Sequence, residues 1–253
     1  MTDYDLLVKV FSCIDNTTLE GSDNKERITS LCTNSIALCD VQRGIGRVAS
    51  VCVYPVFICQ AKRLLEGSGV KVACVAGAFP AGQAPLSVKL EEVKYAVEQG
   101  TDELDMVISR GALLEGDEQR VFDEIAAIRQ ATHGITLKVI LETGELLSSD
   151  IILKASNLAI EAGADFIKTS TGKIKVGATE EAVAVMLQAI QHHYEHSGHM
   201  VGLKVAGGVS TPQQALSYAK MAYKLYGDKY FNNQYFRIGA SRLVNNLFEV
   251  LTF

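Results

Sequence analysis

The sequence predicts an α/β fold, a single-domain (β/α)8 barrel of the TIM type over residues 1–253. Two observations lead there. Eight short apolar, β-rich runs recur along the chain, and longer segments of helical periodicity lie between them. Strands that alternate with helices pair in parallel through right-handed crossovers, and eight such units in 253 residues match the size of a closed barrel. No Pro/Gly/Ser-rich linker or low-complexity tract divides the chain, so one domain is expected. A doubly wound open sheet is the alternative architecture.

In order, the strand candidates are VFSCID (10–15), GRVASVCVYP (46–55), KVACVAGAF (71–79), DELDMVI (102–108), TLKVILET (136–143), DFIKTST (165–171), GLKVAGG (202–208) and YFRIGA (235–240). Helical periodicity marks PLSVKLEEVKYAVEQG (85–100) and SSDIILKASNLAIEAG (148–163). Both end in a glycine, Gly100 and Gly163, where the residue just past a helix is expected to turn left-handed. Thr211, Pro212 and Gln214 fit the first positions of the helix that follows GGVS.

Composition narrows the function. Hydrophobic residues make up 48% and charged residues 21%, ordinary values for a globular chain. The net charge is −5 and no basic run of five or six occurs, so nucleic acid is not an expected partner. The N-terminus lacks the cationic start and apolar core of a signal peptide, and no stretch suggests a membrane span. Six cysteines crowd the first third without a C-x-x-C pair, which is neither a zinc pattern nor a small disulfide scaffold. A soluble cytoplasmic protein with reduced thiols is expected.

A weak internal echo singles out particular side chains. VEQGTDELDMVI and IEAGADFIKTS share a helix end, a glycine, an Asp and a strand, and five residues past each glycine stand Asp105 and Lys168. TLKVILETG and GLKVAGG align Lys138 with Lys204. These four fall on the fourth to seventh strands, and alternate strands of a barrel feed the same interior layer. One acid and three lysines are therefore expected to converge inside the barrel. A lysine at a strand end can instead snorkel to water, but matched ionisable groups on successive strands fit that reading poorly. A clustered lysine loses basicity, because a second positive charge opposes its protonation. A neutral amine in that setting can attack a carbonyl and form an imine, with a nearby carboxylate moving protons.

Glycine clusters follow the last three strands: STGK (170–173), AGGVS (206–210) and IGAS (238–241). Each alone could be a tight turn, but late barrel loops often build phosphate sites from backbone N–H groups. Their succession favours a phosphorylated ligand. GIGRVA (44–49) has dinucleotide-site spacing but precedes a strand instead of opening a helix, so its context fails. HHYEHSGH (192–199) reads as a solvated helix end in preference to a metal site. Asp15, ending the first strand, is either a turn cap or a partner for the lysines.

The motifs FIKTSTGK, LKVILETGEL, DELDMVI, VCVYP and KVAGGVST, in that family's order from CIDNTTL to FRIGAS, resemble those of the 2-deoxyribose-5-phosphate aldolases. These are class I aldolases on TIM barrels. The resemblance implies reversible cleavage of deoxyribose 5-phosphate to glyceraldehyde 3-phosphate and acetaldehyde, without a metal or organic cofactor. It implies Lys168 as the Schiff-base lysine, Lys204 as the lysine that lowers its pKa, and Asp105 as an acid in proton transfer. Gly172, Lys173, Gly207, Gly208, Gly239 and Ser241 match phosphate-binding positions. Asp15, Thr17 and Thr171 match polar residues of the sugar site, Lys138 a supporting lysine, and Cys52 a cysteine near the pocket. A homodimer is also implied.

Two departures from that pattern matter. Ser210 stands where many members have arginine after the glycine pair, and Arg242 follows Ser241 where they have serine. The chain ends in LTF, so the terminal tyrosine that assists proton transfer in some members has no evident counterpart. Another Schiff-base barrel enzyme, such as a transaldolase or a dehydratase-type lyase, would share the lysine chemistry but not these ordered motifs. A non-catalytic phosphosugar-binding protein would need the glycine loops but no reactive amine.

Overall fold

The computed structural model describes residues 1–252; Phe253, the last residue of the expected domain, lies outside them. Eight parallel strands close on themselves in chain order: β1 (Ile14–Thr17), β2 (Ser50–Val53), β3 (Lys71–Ala76), β4 (Glu103–Val107), β5 (Thr136–Ile140), β6 (Phe166–Lys168), β7 (Gly202–Ala206) and β8 (Phe236–Ala240). Pairing of β1 with both β2 and β8 completes the barrel, so the open-sheet alternative is excluded. Around it run α1 (Asp3–Phe11), α2 (Lys25–Ala37), α3 (Ile58–Leu64), α4 (Leu86–Glu98), α5 (Arg110–Leu114), α6 (Glu118–Ala131), α7 (Ser149–Glu161), α8 (Glu180–Ser197), α9 (Pro212–Tyr230) and α10 (Leu243–Thr252).

The first expected strand needs correction. Val10 and Phe11 belong to α1, which buries Leu6, Leu7, Val10 and Phe11 on one face. Apolar residues at helical spacing, with Thr2 and Asp5 capping each other's backbone, outweigh the β-prone character of Val10 and Phe11. The second run is likewise trimmed to Ser50–Val53, and a short 3-10 turn begins at Pro55. The helix over 212–230 opens with the Thr211–Gln214 capping box, as the sequence suggested.

Period-two alternation divides each strand between two environments. Val51, Leu104, Val139, Ile167, Leu203 and Ile238 are fully buried and belong to the large apolar core with the helices. Burying such a side chain contributes about 1.5–3 kcal/mol, so this outer layer carries most of the hydrophobic stabilisation. The intervening residues face the barrel axis, and there the side chains are Asp15, Glu103, Asp105, Lys138, Lys168, Lys204 and Arg237, all buried. No described helix is long and apolar enough to cross a membrane.

Candidate active site

Lys168 is the last residue of β6, and the lysine of β7 that it pairs with in register is Lys204. Asp105 of β4 pairs in register with Lys138 of β5. Strand closure brings all four together. One carboxylate oxygen of Asp105, Oδ2, accepts from Lys168 Nζ at 2.8 Å and from Lys204 Nζ at 2.7 Å. The other, Oδ1, accepts from Lys138 Nζ at 2.9 Å. Asp15 takes the partner role of its two alternatives: its Oδ2 is 2.5 Å from Lys204 Nζ. Cys52, fully buried, lies close enough for Lys204 and Lys168 to act on its thiol, whose pKa burial pushes up.

The electrostatics separate the three lysines. Burial pushes the pKa of Lys168 down and Lys204 pushes it the same way, against the pull of Asp105, leaving it below the ordinary lysine value. Burial acts on Lys204 too, but Asp105 and Asp15 outweigh it and hold that ammonium above its ordinary value. Lys138 is likewise held charged, by Asp105 and Glu103 against burial. Burial alone would raise Asp105, yet its three lysines hold it well below the usual carboxylate range. The arrangement offers a poorly basic amine among fixed charges.

Above Lys168, at the C-terminal ends of the strands, a cavity of about 160 Å³ opens to solvent. Gly172, Lys173, Gly207, Gly208, Gly239 and Ser241 all line it. Thr17 and Thr171 line it as well, whereas Asp105, Lys204, Lys138, Asp15 and Cys52 are not in its wall. Gly207 is needed for two reasons. Its φ of +93° is left-handed, and a Cβ there would stand 2.9 Å from the Cα of Gly177 in the loop after β6. Gly239 has a different role: a Cβ would meet Lys204 Cε at 3.1 Å, so its lack of a side chain leaves space for the lysine.

Two rim charges refine the sequence reading. Lys173 Nζ sits 2.9 Å from Glu20, so its positive charge is partly compensated. Arg242, with Ser210, lines the same cavity and is exposed.

The two crossing loops give a first prediction. A Cβ on Gly177 would lie 2.3 Å from the carbonyl oxygen of Gly207, a backbone atom that cannot rotate away. Gly177→Ala is expected to part the loops, raising KM for a phosphorylated substrate about tenfold while lowering stability by about 1–3 kcal/mol. Steady-state kinetics and a melting curve check both.

Two buried acids and a base were given no role in the sequence reading. Arg237 Nη2 and Nη1 hold Glu103 at 2.7 and 3.1 Å, and Nη1 also pairs with Asp15. Glu103 Oε2 is 2.6 Å from Lys138 Nζ. The signal was present, since Glu103 precedes Asp105 by two residues and Arg237 precedes Gly239 by two, which puts each pair on one face. Glu142 gave no such signal. It is fully buried with a left-handed φ of +57°, and its carboxylate accepts from the backbone N–H and hydroxyl of Thr171. Burial raises its pKa.

A closed barrel whose ionised interior lies beneath a cavity at the C-terminal strand ends is the architecture of a barrel enzyme for a small polar substrate. A profile of the DeoC/LacD family aldolases matches residues 10–245, and the chain belongs to that family, which makes it a lyase. It is 40% identical over 252 residues to a Homo sapiens deoxyribose-phosphate aldolase, covering 95% of this chain and 79% of that one. It is 42% identical over 252 residues to the Bos taurus protein of the same name, with the same coverage, 95% and 79%. Among solved structures, the deoxyribose phosphate aldolase of Aeropyrum pernix, described as a unique tetramer, aligns at TM-score 0.74 and 27% identity over 99% of this chain and 93% of that one. An aldolase called QR15 aligns at TM-score 0.79 and 31% identity over 96% of both chains.

Proposed function

We propose that this protein is a class I aldolase that reversibly cleaves 2-deoxyribose 5-phosphate to glyceraldehyde 3-phosphate and acetaldehyde through an imine on Lys168. The observation that carries the reading is the weakened basicity of Lys168 at the floor of the cavity, beside an ionised Asp105. The amine adds to the C1 carbonyl and water leaves, giving a protonated imine. That imine accepts the electron pair of the breaking C2–C3 bond, while the C3 hydroxyl gives up its proton as it becomes the aldehyde of glyceraldehyde 3-phosphate. The enamine left on Lys168 takes a proton at C2, and water releases acetaldehyde. Asp105 is the proton handler, Lys204 keeps the Lys168 amine neutral, and Lys138, Asp15 and Cys52 support them. Thr17 and Thr171 bind the sugar.

Gly172, Lys173, Gly207, Gly208, Gly239 and Ser241 hold the phosphate, with backbone N–H groups as the main donors. Six free cysteines accord with a reducing cytoplasm. A retro-aldol assay on deoxyribose 5-phosphate, coupled to detection of glyceraldehyde 3-phosphate, tests the reading; absence of that product sinks it. Because Lys173 shares its charge with Glu20, Arg242 is the cation that answers for the serine at position 210. A charged hydrogen bond to phosphate is worth about 1.5–3 kcal/mol, so Arg242→Ser is expected to raise KM for deoxyribose 5-phosphate tenfold or more. Unphosphorylated deoxyribose should be barely affected. Equal effects on both substrates would rule this role out.

A further inference from the structure

The charges carried by the strands inside the barrel form a set; the buried Glu142 lies beyond them, in the loop after β5, and is bound to Thr171. Asp15 of β1 and Glu103 and Asp105 of β4 supply three carboxylates; Lys138 of β5, Lys204 of β7 and Arg237 of β8 supply three cations. All six are 2% exposed or less. Lys168 of β6 is the fourth basic group. The remaining strands add no charge at that depth. β2 presents Ser50 and Cys52, and β3 presents Ala73 and Val75 in register with Cys52 and Asp105. Lys71, at the lower mouth, reaches Glu103 at 3.3 Å but is half exposed, so water screens it.

Three carboxylates against three cations balance only while Lys168 is neutral. Protonating it would leave one net charge buried in a low-dielectric space, which costs several kcal/mol. The pair that completes the balance is remote from the cavity. Arg237 grips Glu103 with two nitrogens and its guanidinium lies over the Phe166 ring, 5.7 Å from the centroid. From there contacts run unbroken to the amine: Glu103 to Lys138 at 2.6 Å, Lys138 to Asp105 at 2.9 Å, and Asp105 to Lys168 at 2.8 Å. Neither Glu103 nor Arg237 lines the cavity above Lys168.

We propose that Glu103 and Arg237 are positioning residues for the lysine chemistry, a matched pair that keeps interior anions and cations equal in number so that Lys168 is the group left uncharged. The proposal rests on the reading of Lys168 as the nucleophilic amine. It gives the two residues effects of opposite sign. Deleting the Glu103 charge leaves excess positive charge, which disfavours the Lys168 ammonium; deleting the Arg237 charge does the reverse.

The test is the pH dependence of imine capture at Lys168, with acetaldehyde and cyanoborohydride, read by peptide mapping. Across roughly 10 Å at an effective dielectric near 20, one charge moves the acid limb by about one pH unit. Glu103→Gln is expected to move the limb to lower pH and Arg237→Met to higher pH. The double variant should return it to the wild-type position, and Arg237→Lys, which keeps the charge, should hold it there. Ser50→Asp supplies a variant that breaks no pair. The Ser50 hydroxyl is buried without a partner, and its strand position is in register with Asp15 and Lys71. A fourth carboxylate there should move the limb upward, and it decides the matter if either single variant fails to fold. Limbs that all coincide with wild type, or that shift in one direction regardless of the charge removed, overturn the proposal. A wild-type protein that captures no label at Lys168 overturns the functional reading instead.

Discussion

Lys168→Ala is expected to lower retro-aldol turnover of deoxyribose 5-phosphate by about 10³-fold or more, with little loss of stability. The two parts of this expectation have one cause. If Lys168 is the uncharged member of the interior cluster, its removal takes away the nucleophile but no counter-charge. Asp105 keeps Lys138 at 2.9 Å and Lys204 at 2.7 Å, so no buried ion is left alone. Acetaldehyde with borohydride should add one ethyl group to the wild-type chain, at Lys168, and none to the variant. An ethyl group mapped to another lysine in active protein, or turnover that survives the substitution, would remove Lys168 from the mechanism. A variant that fails to fold would show instead that the amine is charged and needed as an ion.

Lys204→Leu has the second-largest expected effect, and it differs in kind. Lys204 bridges Asp15 at 2.5 Å and Asp105 at 2.7 Å, and breaking a buried pair costs about 3–5 kcal/mol. The melting temperature should therefore fall sharply, unlike that of Lys168→Ala. The sign of the pH effect follows from the same contacts. Lys204 lowers the pKa of Lys168, so its loss raises that pKa and leaves Asp15 and Asp105 with excess negative charge. More of the Lys168 amine is then protonated at neutral pH. Activity should drop about 10²-fold near pH 7, and the deficit should shrink as the assay pH rises through the new value. A pH-independent deficit would assign Lys204 a purely spatial role.

Lys168 and Asp105 were legible in the sequence because each interrupts an apolar strand five residues past a helix-ending glycine, and Lys204 because its strand echoes that of Lys138. Periodicity also gave the eight strands, and the Thr211–Gln214 cap came from local chemistry. Where local rules conflicted, the sequence misled: Val10 and Phe11 look like strand but complete the buried face of α1. Glu142 was illegible for another reason. Nothing in the run LETGEL announces a left-handed, fully buried glutamate, since that conformation is imposed by the loop it anchors to Thr171.

By itself the sequence determined the order of strands and helices, the inward face of each strand, and thus which side chains could meet on the barrel axis. It could not determine who pairs with whom. Ion pairing depends on the register around a closed ring, and β1 meets β8 only when the barrel shuts. That closure sets Arg237 against Asp15, 222 residues apart in the chain, and against Glu103 across the barrel. It also leaves Lys168 with Asp105, through an oxygen that Lys204 shares, whereas Lys138 and Lys204 each reach a second carboxylate. Charge balance in a low-dielectric interior is a property of all of them together, so only the tertiary structure decided which lysine must share its carboxylate oxygen with another lysine.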